Sequence, residues 1–146
     1  MNNPLRKKNL STLAKANDNL LTNLFQASSL PDNYTWLRKP EIGTVMVQGR
    51  IGATGAQFNI GEITVTRCSL KIEGEFVGHG YSKGRNKEKA KIIALCDALG
   101  QTKEADKLEE MVIKPLELKE AENRKLEKEK AAATKVDFFT MVRGEG

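Results

Sequence analysis

Residues 63–100 read ITVTRCSLKIEGEFVGHGYSKGRNKEKAKIIALCDALG, and their hydrophobic period changes from two to helical inside forty residues. Ile63 and Val65 share one strand face while Cys68, Leu70 and Ile72 share the other, so a bulge or bend is predicted near Thr66–Arg67. Glu73-Gly74 is a hairpin signal, and Phe76 to Ser82 makes the returning strand. Gly84, Arg85 and Asn86 then lead into a helix, with Asn86 as a natural N-cap and Gly100 as a natural stop. Ala90, Ile93, Ala94 and Cys96 to Leu99 make that helix apolar around much of its circumference. A helix apolar on most sides belongs in a core, so an antiparallel hairpin packed on a central helix is the predicted centre of the fold.

Upstream, Leu10, Leu13, Ala14, Leu20, Leu21, Leu24 and Phe25 recur at helical spacing, with Asn17 or Asp18 suited to cap a second segment. Pro31 and Pro40 bracket a short extended piece containing Tyr34, Trp36 and Leu37. From Gly43 the alternation of Val45, Val47 and Ile51 with polar neighbours predicts a strand, and residues 49–55 supply turn chemistry. Downstream, Thr102 to Ile113 predicts a short amphipathic helix ended by Pro115. Leu116 to Lys135 predicts a helix polar nearly all round, laced by pairs such as Glu120-Arg124 and Lys125-Glu129. The fold class is therefore α+β: an antiparallel sheet of three to four strands on a central helix, with an N-terminal helical segment and a long C-terminal helix plus tail. The corresponding division is 1–30, 31–101 as the α+β core, and 102–146 as a helical extension and interaction tail.

A chain of 146 residues supports one core without staples. No apolar run approaches the roughly 20 residues of a bilayer span, and Asn17, Asp18 and Asn19 interrupt the apolar stretch that a signal peptide needs, so a cytoplasmic protein is expected. Cys68 and Cys96 fall in predicted strand and helix interiors without CxxC spacing and read as buried thiols; with His79 the single histidine, no familiar metal cluster can be assembled. The net charge of +5 is weighted to the first half: residues 1–40 carry +4, 41–100 carry +2 and 101–146 carry −1. Such a balance permits an anionic ligand and is equally common in ordinary soluble proteins.

Gly78-His-Gly80-Tyr-Ser-Lys-Gly84 lies between strand and helix like a phosphate loop, but its spacing fits neither standard fingerprint. Lys83, Arg85 and Lys87 at a helix entrance make an anion site in principle; alternatively, Gly78 and Gly80 sit where close packing on the helix forbids side chains. The same stretch with Ala90-Lys91 resembles the last strand and helix of double-stranded RNA binding domains, yet four extra residues shift the lysines out of that register. His79 lacks an evident orienting acid, and no two of Glu62, Glu73, Glu75 and Asp97 stand out as a catalytic pair. From chemistry alone the chain reads as a small basic module without a self-contained active site, an independent RNA- or nucleotide-binding module being one alternative.

Three stretches are more specific. Arg50-Ile-Gly52-Ala-Thr-Gly55 through Asn59-Ile-Gly61-Glu62 to Thr64-Val-Thr66-Arg67, then Gly78 with Gly84-Arg85-Asn86-Lys87 and Ala94 to Gln101, and finally Val136 to Gly144, together resemble the G-subunit (PhnG) family of the bacterial carbon-phosphorus lyase complex. His79 stands where an aromatic is usual in that family, and Asn86 replaces an Asp. The resemblance implies a role in phosphonate breakdown under phosphate starvation. There the G subunit, with the H, I and L proteins, is required for a transfer in which an alkylphosphonate displaces adenine from ATP to give a ribose 1-phosphonate 5-triphosphate. The I subunit supplies the nucleosidase chemistry, and the J subunit, using S-adenosylmethionine and an iron-sulfur cluster, later cleaves the carbon-phosphorus bond. No catalytic residue, metal or cofactor is carried over to this chain; the closest contact implied is with the I subunit in a hetero-oligomer, with no nucleic acid and no membrane.

Within these motifs Arg50, Arg67, Gly84 and Arg85 are the candidate ligand or anion contacts, guanidinium groups being suited to bidentate phosphate contact; a structural ion pair is the alternative for Arg67 and Arg85. Val136, Phe138, Phe139, Met141, Val142 and Arg143 are the candidate subunit interface. Exposed on a monomer they would form an apolar patch, whereas laid on a neighbour each large aromatic contributes about 1.5–3 kcal/mol. Folding back onto the chain's own sheet is the other use for them.

Overall fold

The computed structural model describes residues 3–50 and 57–145, and side chains over 4–49 and 60–133. Helices α1 (Asn3–Lys15) and α2 (Asp18–Ser28) precede three strands, β1 (Tyr34–Arg50), β2 (Gln57–Ile72) and β3 (Phe76–Lys83). Helix α3 (Lys87–Leu99), the short α4 (Ala105–Leu108), a single π-helical turn (Glu109–Ile113) and α5 (Lys114–Glu145) follow. The sheet is antiparallel in the order β1-β2-β3, so the class is α+β with three strands among the described residues.

Both N-caps form from asparagine. Asn17 Oδ1 accepts from the Leu20 N–H at 3.1 Å, and Asn86 Oδ1 accepts from the Lys89 N–H at 3.0 Å. Helix α3 is buried continuously from Ile92 to Leu99 because it is covered from two directions. Cys68, Leu70 and Ile72 of β2 meet it from the sheet; Leu13, Leu21 and Phe25 of α1 and α2, with Val112 and Ile113 of the π turn, complete one hydrophobic cluster around it. On the sheet side the packing is backbone-close: a Cβ on Gly78 would stand 1.9 Å from the Ala94 carbonyl oxygen, and one on Gly80 would stand 2.0 Å from that of Ala90. Close packing therefore accounts for Gly78 and Gly80, with no phosphate needed to explain them.

Four readings are corrected. The extended piece around Tyr34 and the strand from Gly43 are one strand, β1, which passes through Pro40; a missing N–H is tolerated because β1 is a sheet edge. No bulge interrupts β2 at Thr66–Arg67, which stays in register with β3 from Val65 to Ile72. The irregularities lie opposite, on β1, between Trp36 and Arg38 and between Arg38 and Glu41, with a further one between Val47 and Gln48 that leaves Ile60 of β2 unpaired. The change of face on β2 instead coincides with the end of β3, opposite Val65.

Pro115 does not end a helix. The π turn before it closes with Lys114 N–H to the Glu109 carbonyl and runs without a break into α5, so Pro115 is carried inside a continuous helix directly after a widened turn. Finally, the backbone of the segment from Val136 to Arg143 continues α5 without a break, so there is no separate tail as far as Glu145. The side chains of that segment lie outside the described residues, as does the turn over 51–56. Gly100 caps α3 in a right-handed conformation, φ −63°, so it stops the helix without the left-handed geometry glycine usually supplies.

Candidate functional site

Three regions bear on function: the blocked edge of β3, the entrance to α3, and the open face of the sheet with the arm beyond it.

At the β3 edge, Asp97 near the end of α3 holds a carboxylate with a 1% exposed side chain. Its Oδ1 accepts from Arg6 Nε at 2.7 Å, and its Oδ2 accepts from Arg6 Nη2 at 2.8 Å and from the His79 backbone N–H at 2.9 Å. Gln101 Nε2 donates to the Val77 carbonyl at 2.7 Å. Side chains of α1, of α3 and of Gln101 just past it thus occupy two edge groups a fourth strand would use, the Val77 carbonyl and the His79 N–H, which hinders pairing on this side of the sheet. The pairing with Asp97 holds the Arg6 guanidinium still further above its ordinary pKa. Beside this network lies a cleft of about 490 Å³ lined by Leu5, Leu10, Leu13, Phe76 and Cys96 among others. Its chemistry is inert: Arg6 and Asp97 are committed to each other, and burial pushes the Cys96 thiol up, away from the reactive thiolate. His79 presents an exposed ring whose Nδ1 lies 2.8 Å from Ser69 Oγ, and Asp97 meets its backbone instead of its ring, so no acid orients it as a base.

At the entrance to α3, Lys89 is 6% exposed and was not singled out in the sequence. Its Nζ donates to the Ala16 carbonyl at 2.7 Å and to Asp18 Oδ1 at 2.9 Å, while Asn86 Nδ2 donates to Asp18 Oδ2 at 3.0 Å. These bonds, from Lys89 first and Asn86 second, hold the Asp18 carboxyl below its ordinary value. A carboxylate at position 86 would stand against Asp18 here, whereas the Asn86 amide supplies a donor. Because Asn86 also takes the Lys89 N–H, the helix entrance is partly satisfied from within.

The four candidate ligand contacts are not gathered into one cluster. Gly84 takes φ +95° and anchors the β3–α3 loop, its N–H on the Thr64 carbonyl at 2.8 Å and its carbonyl on Thr66 Oγ1 at 2.7 Å. Arg85 follows it and is exposed; Arg67 is exposed and pairs in register with Tyr81 and Glu41. Arg50 closes β1 opposite Gln57, nine residues beyond Glu41, a span of about 30 Å at strand rise. Its side chain is outside the described set.

Past the end of β3 the β1–β2 ribbon continues with two strands only, bearing exposed Met46 and Ile60. Helix α5 leaves the body likewise. Lys8 and Lys15 of α1 pair with Glu117 and Glu120 in its first turns, and every residue from 121 to 133 is exposed. A bare two-stranded ribbon and a bare helix are each poorly stable alone, and both carry the motifs by which the chain was likened to a subunit.

A family model described as "Phosphonate metabolism protein PhnG" matches residues 5–144. The chain belongs to the PhnG family. The chain is also 40% identical over 144 residues to the alpha-D-ribose 1-methylphosphonate 5-triphosphate synthase subunit PhnG of Rhizobium meliloti (strain 1021), a match covering 96% of this chain and 90% of that relative. In this PhnG family member no helix among the described residues is long and apolar enough to cross a membrane. Its ribbon arm, loop at Gly84 and extended α5 coincide with the three stretches that carry the likeness.

Proposed function

We propose that this chain is the G subunit of an alpha-D-ribose 1-methylphosphonate 5-triphosphate synthase, acting in phosphonate catabolism as a site-completing or scaffolding subunit and not as a self-contained catalyst. The observation that carries this reading is the 40% identity to a subunit of that name along nearly the whole of both chains. What supports its non-catalytic part is the inventory above: a histidine without an orienting acid, a carboxylate spent on an arginine, and thiols that burial keeps protonated. The transfer it serves joins the ribose triphosphate of ATP to an alkylphosphonate and releases adenine. The partners are the H, I, J and L proteins, the I subunit in closest contact, in the cytoplasm; S-adenosylmethionine and the iron-sulfur cluster belong to the J protein, which acts in the later cleavage step. Gly84 and Arg85, at the root of the ribbon, and Arg50, at its far end, are the anion contacts this chain offers the assembled site, and the α5 segment with Phe138 and Phe139 is its interface.

Deleting the gene for this chain from its host tests the reading. Growth on methylphosphonate as sole phosphorus source should stop and growth on phosphate should not, with restoration when the gene is returned. Retained growth on methylphosphonate would contradict it.

A further inference from the structure

On the face of the sheet turned away from α3 Val65 is buried, 2% exposed, but charged and aromatic side chains that share that face stand exposed among the described residues. Strand periodicity places Cys68, Leu70 and Ile72 inward, so the alternate residues of β2 and their register partners point outward. Arg67 stands opposite Tyr81, Arg38 opposite Ser69, and Lys83 opposite Val65. Arg38, Arg67, Tyr81 and Lys83 are all exposed. Lys71, on the same face, is neutralised by Glu75 at 3.1 Å, but Arg38, Arg67 and Lys83 form no ion pair among the described residues. The one anion in register with them, Glu41 opposite Arg67, is exposed and makes no such pair either. Three cations without an ion pair among the described residues thus share this face with Tyr81, which stands opposite Arg67 and two residues from Lys83.

We infer that this face docks on a carboxylate-rich surface of a partner subunit, an inference that rests on the subunit reading above. Two observations choose this occupant. Arg38, Arg67, Tyr81 and Lys83 stand exposed on a sheet surface, whereas a small anion such as a triphosphate is normally enclosed in a concave site. Arginine and tyrosine, moreover, are the residue types enriched at protein interfaces and their energetic centres, and unpaired cations on one side call for unpaired anions on the other. Arg67 accordingly acts in assembly, where its planar guanidinium meets a carboxylate with two hydrogen bonds, and not on the substrate.

The test is a charge reversal, Arg38→Glu/Arg67→Glu/Lys83→Glu, in the full chain, with binding to the purified partner subunits measured by interferometry across a salt series. A control reverses three exposed lysines elsewhere, Lys7, Lys103 and Lys107. Because all three substituted face residues are exposed, the melting temperature should be unchanged in both variants. The face variant should lose at least about tenfold in affinity and show a flatter salt dependence, and the control should bind like the unmodified chain. Equal loss in both variants, or unchanged binding by the face variant, would overturn the inference while leaving the subunit reading intact. So would normal assembly with a raised ATP requirement, or with lost binding to a single-stranded RNA probe; these would assign the face to ligand or nucleic acid. An unmodified chain that binds no partner subunit would overturn the subunit reading itself, and this inference with it.

Discussion

Gly78 and Ala94 are in backbone contact across the sheet–helix interface: only the absence of a Cβ at Gly78 lets the strand come so close to the Ala94 carbonyl oxygen, which would stand 1.9 Å from it. The obstacle is main chain on both sides, so neither element can yield by a rotamer change. Gly78→Ala should cost about 3 kcal/mol or more, a drop in melting temperature of about 10 °C in a domain of this size. Gly43→Ala on the ribbon, where an added Cβ meets nothing within 4 Å, should change stability by less than about 0.5 kcal/mol. Thermal unfolding of the two variants side by side checks the contrast.

Asp97 joins three elements through one carboxylate. Asp97→Ala strips the Arg6 guanidinium and the His79 N–H of their partner together, and should destabilise the chain by about 3 kcal/mol. It should also unblock the edge of β3 and make the protein associate on standing, by the argument that unpaired edges recruit other strands. Chemical denaturation with light scattering on the same samples measures both effects.

Asp18 gives a pH dependence of definite sign. Its carboxyl is held below the ordinary 3.8 by Lys89 and Asn86, so the stability it contributes is full above the unfolded value and is lost as pH falls through the lower folded one. Asp18→Asn should melt below the unmodified chain at pH 7, by about 1 kcal/mol for a half-exposed ion pair. The gap should close once the pH is well under 3.8. A gap that persists at acid pH would mean the loss is one of packing and not of charge.

Helix α5 predicts a separation of folding from assembly. Residues 121–133 are exposed along its whole surface, so a truncation beyond residue 135 should leave the melting temperature of the isolated chain unchanged. If Val136, Phe138, Phe139, Met141, Val142 and Arg143 anchor a partner, the same truncation should sharply weaken co-purification with the partner subunits, since two buried aromatics contribute several kcal/mol, about 1.5–3 each. A lower melting temperature with unaltered assembly would place the segment on its own core.

What could be read from the sequence was governed by distance along the chain. The caps at Asn17 and Asn86 act on N–H groups three residues away, and the alternation of Leu70 and Ile72 or the apolar run of α3 needs only a local window. The Arg6–Asp97 pair joins residues 91 apart, and Lys89 finds its partners in Ala16 of the α1–α2 connection and Asp18 at the start of α2; no local pattern marks either. Pro40 and Pro115 misled for a related reason. A proline's effect depends on whether its N–H would have been used and on local helix geometry, and an edge strand or a π turn decides that from outside the sequence window. The position of the irregularities near Thr66–Arg67 was missed because β2 alone shows the change of face, while the extra residues of the two nearest ones lie on β1. For the candidate site, Gly84 and Arg67 were found through motif likeness, but their separation from Arg50 follows from strand register, which pairing alone fixes.

The central claim, that this chain contributes to adenine displacement only as part of an assembly, is tested most directly by chromatographic measurement of adenine released from ATP in the presence of methylphosphonate. The purified chain alone should release none, the partner subunits without it should release little, and the reconstituted set should release adenine in step with methylphosphonate consumed. Adenine release by the isolated chain, abolished by a point substitution within it, would contradict the account.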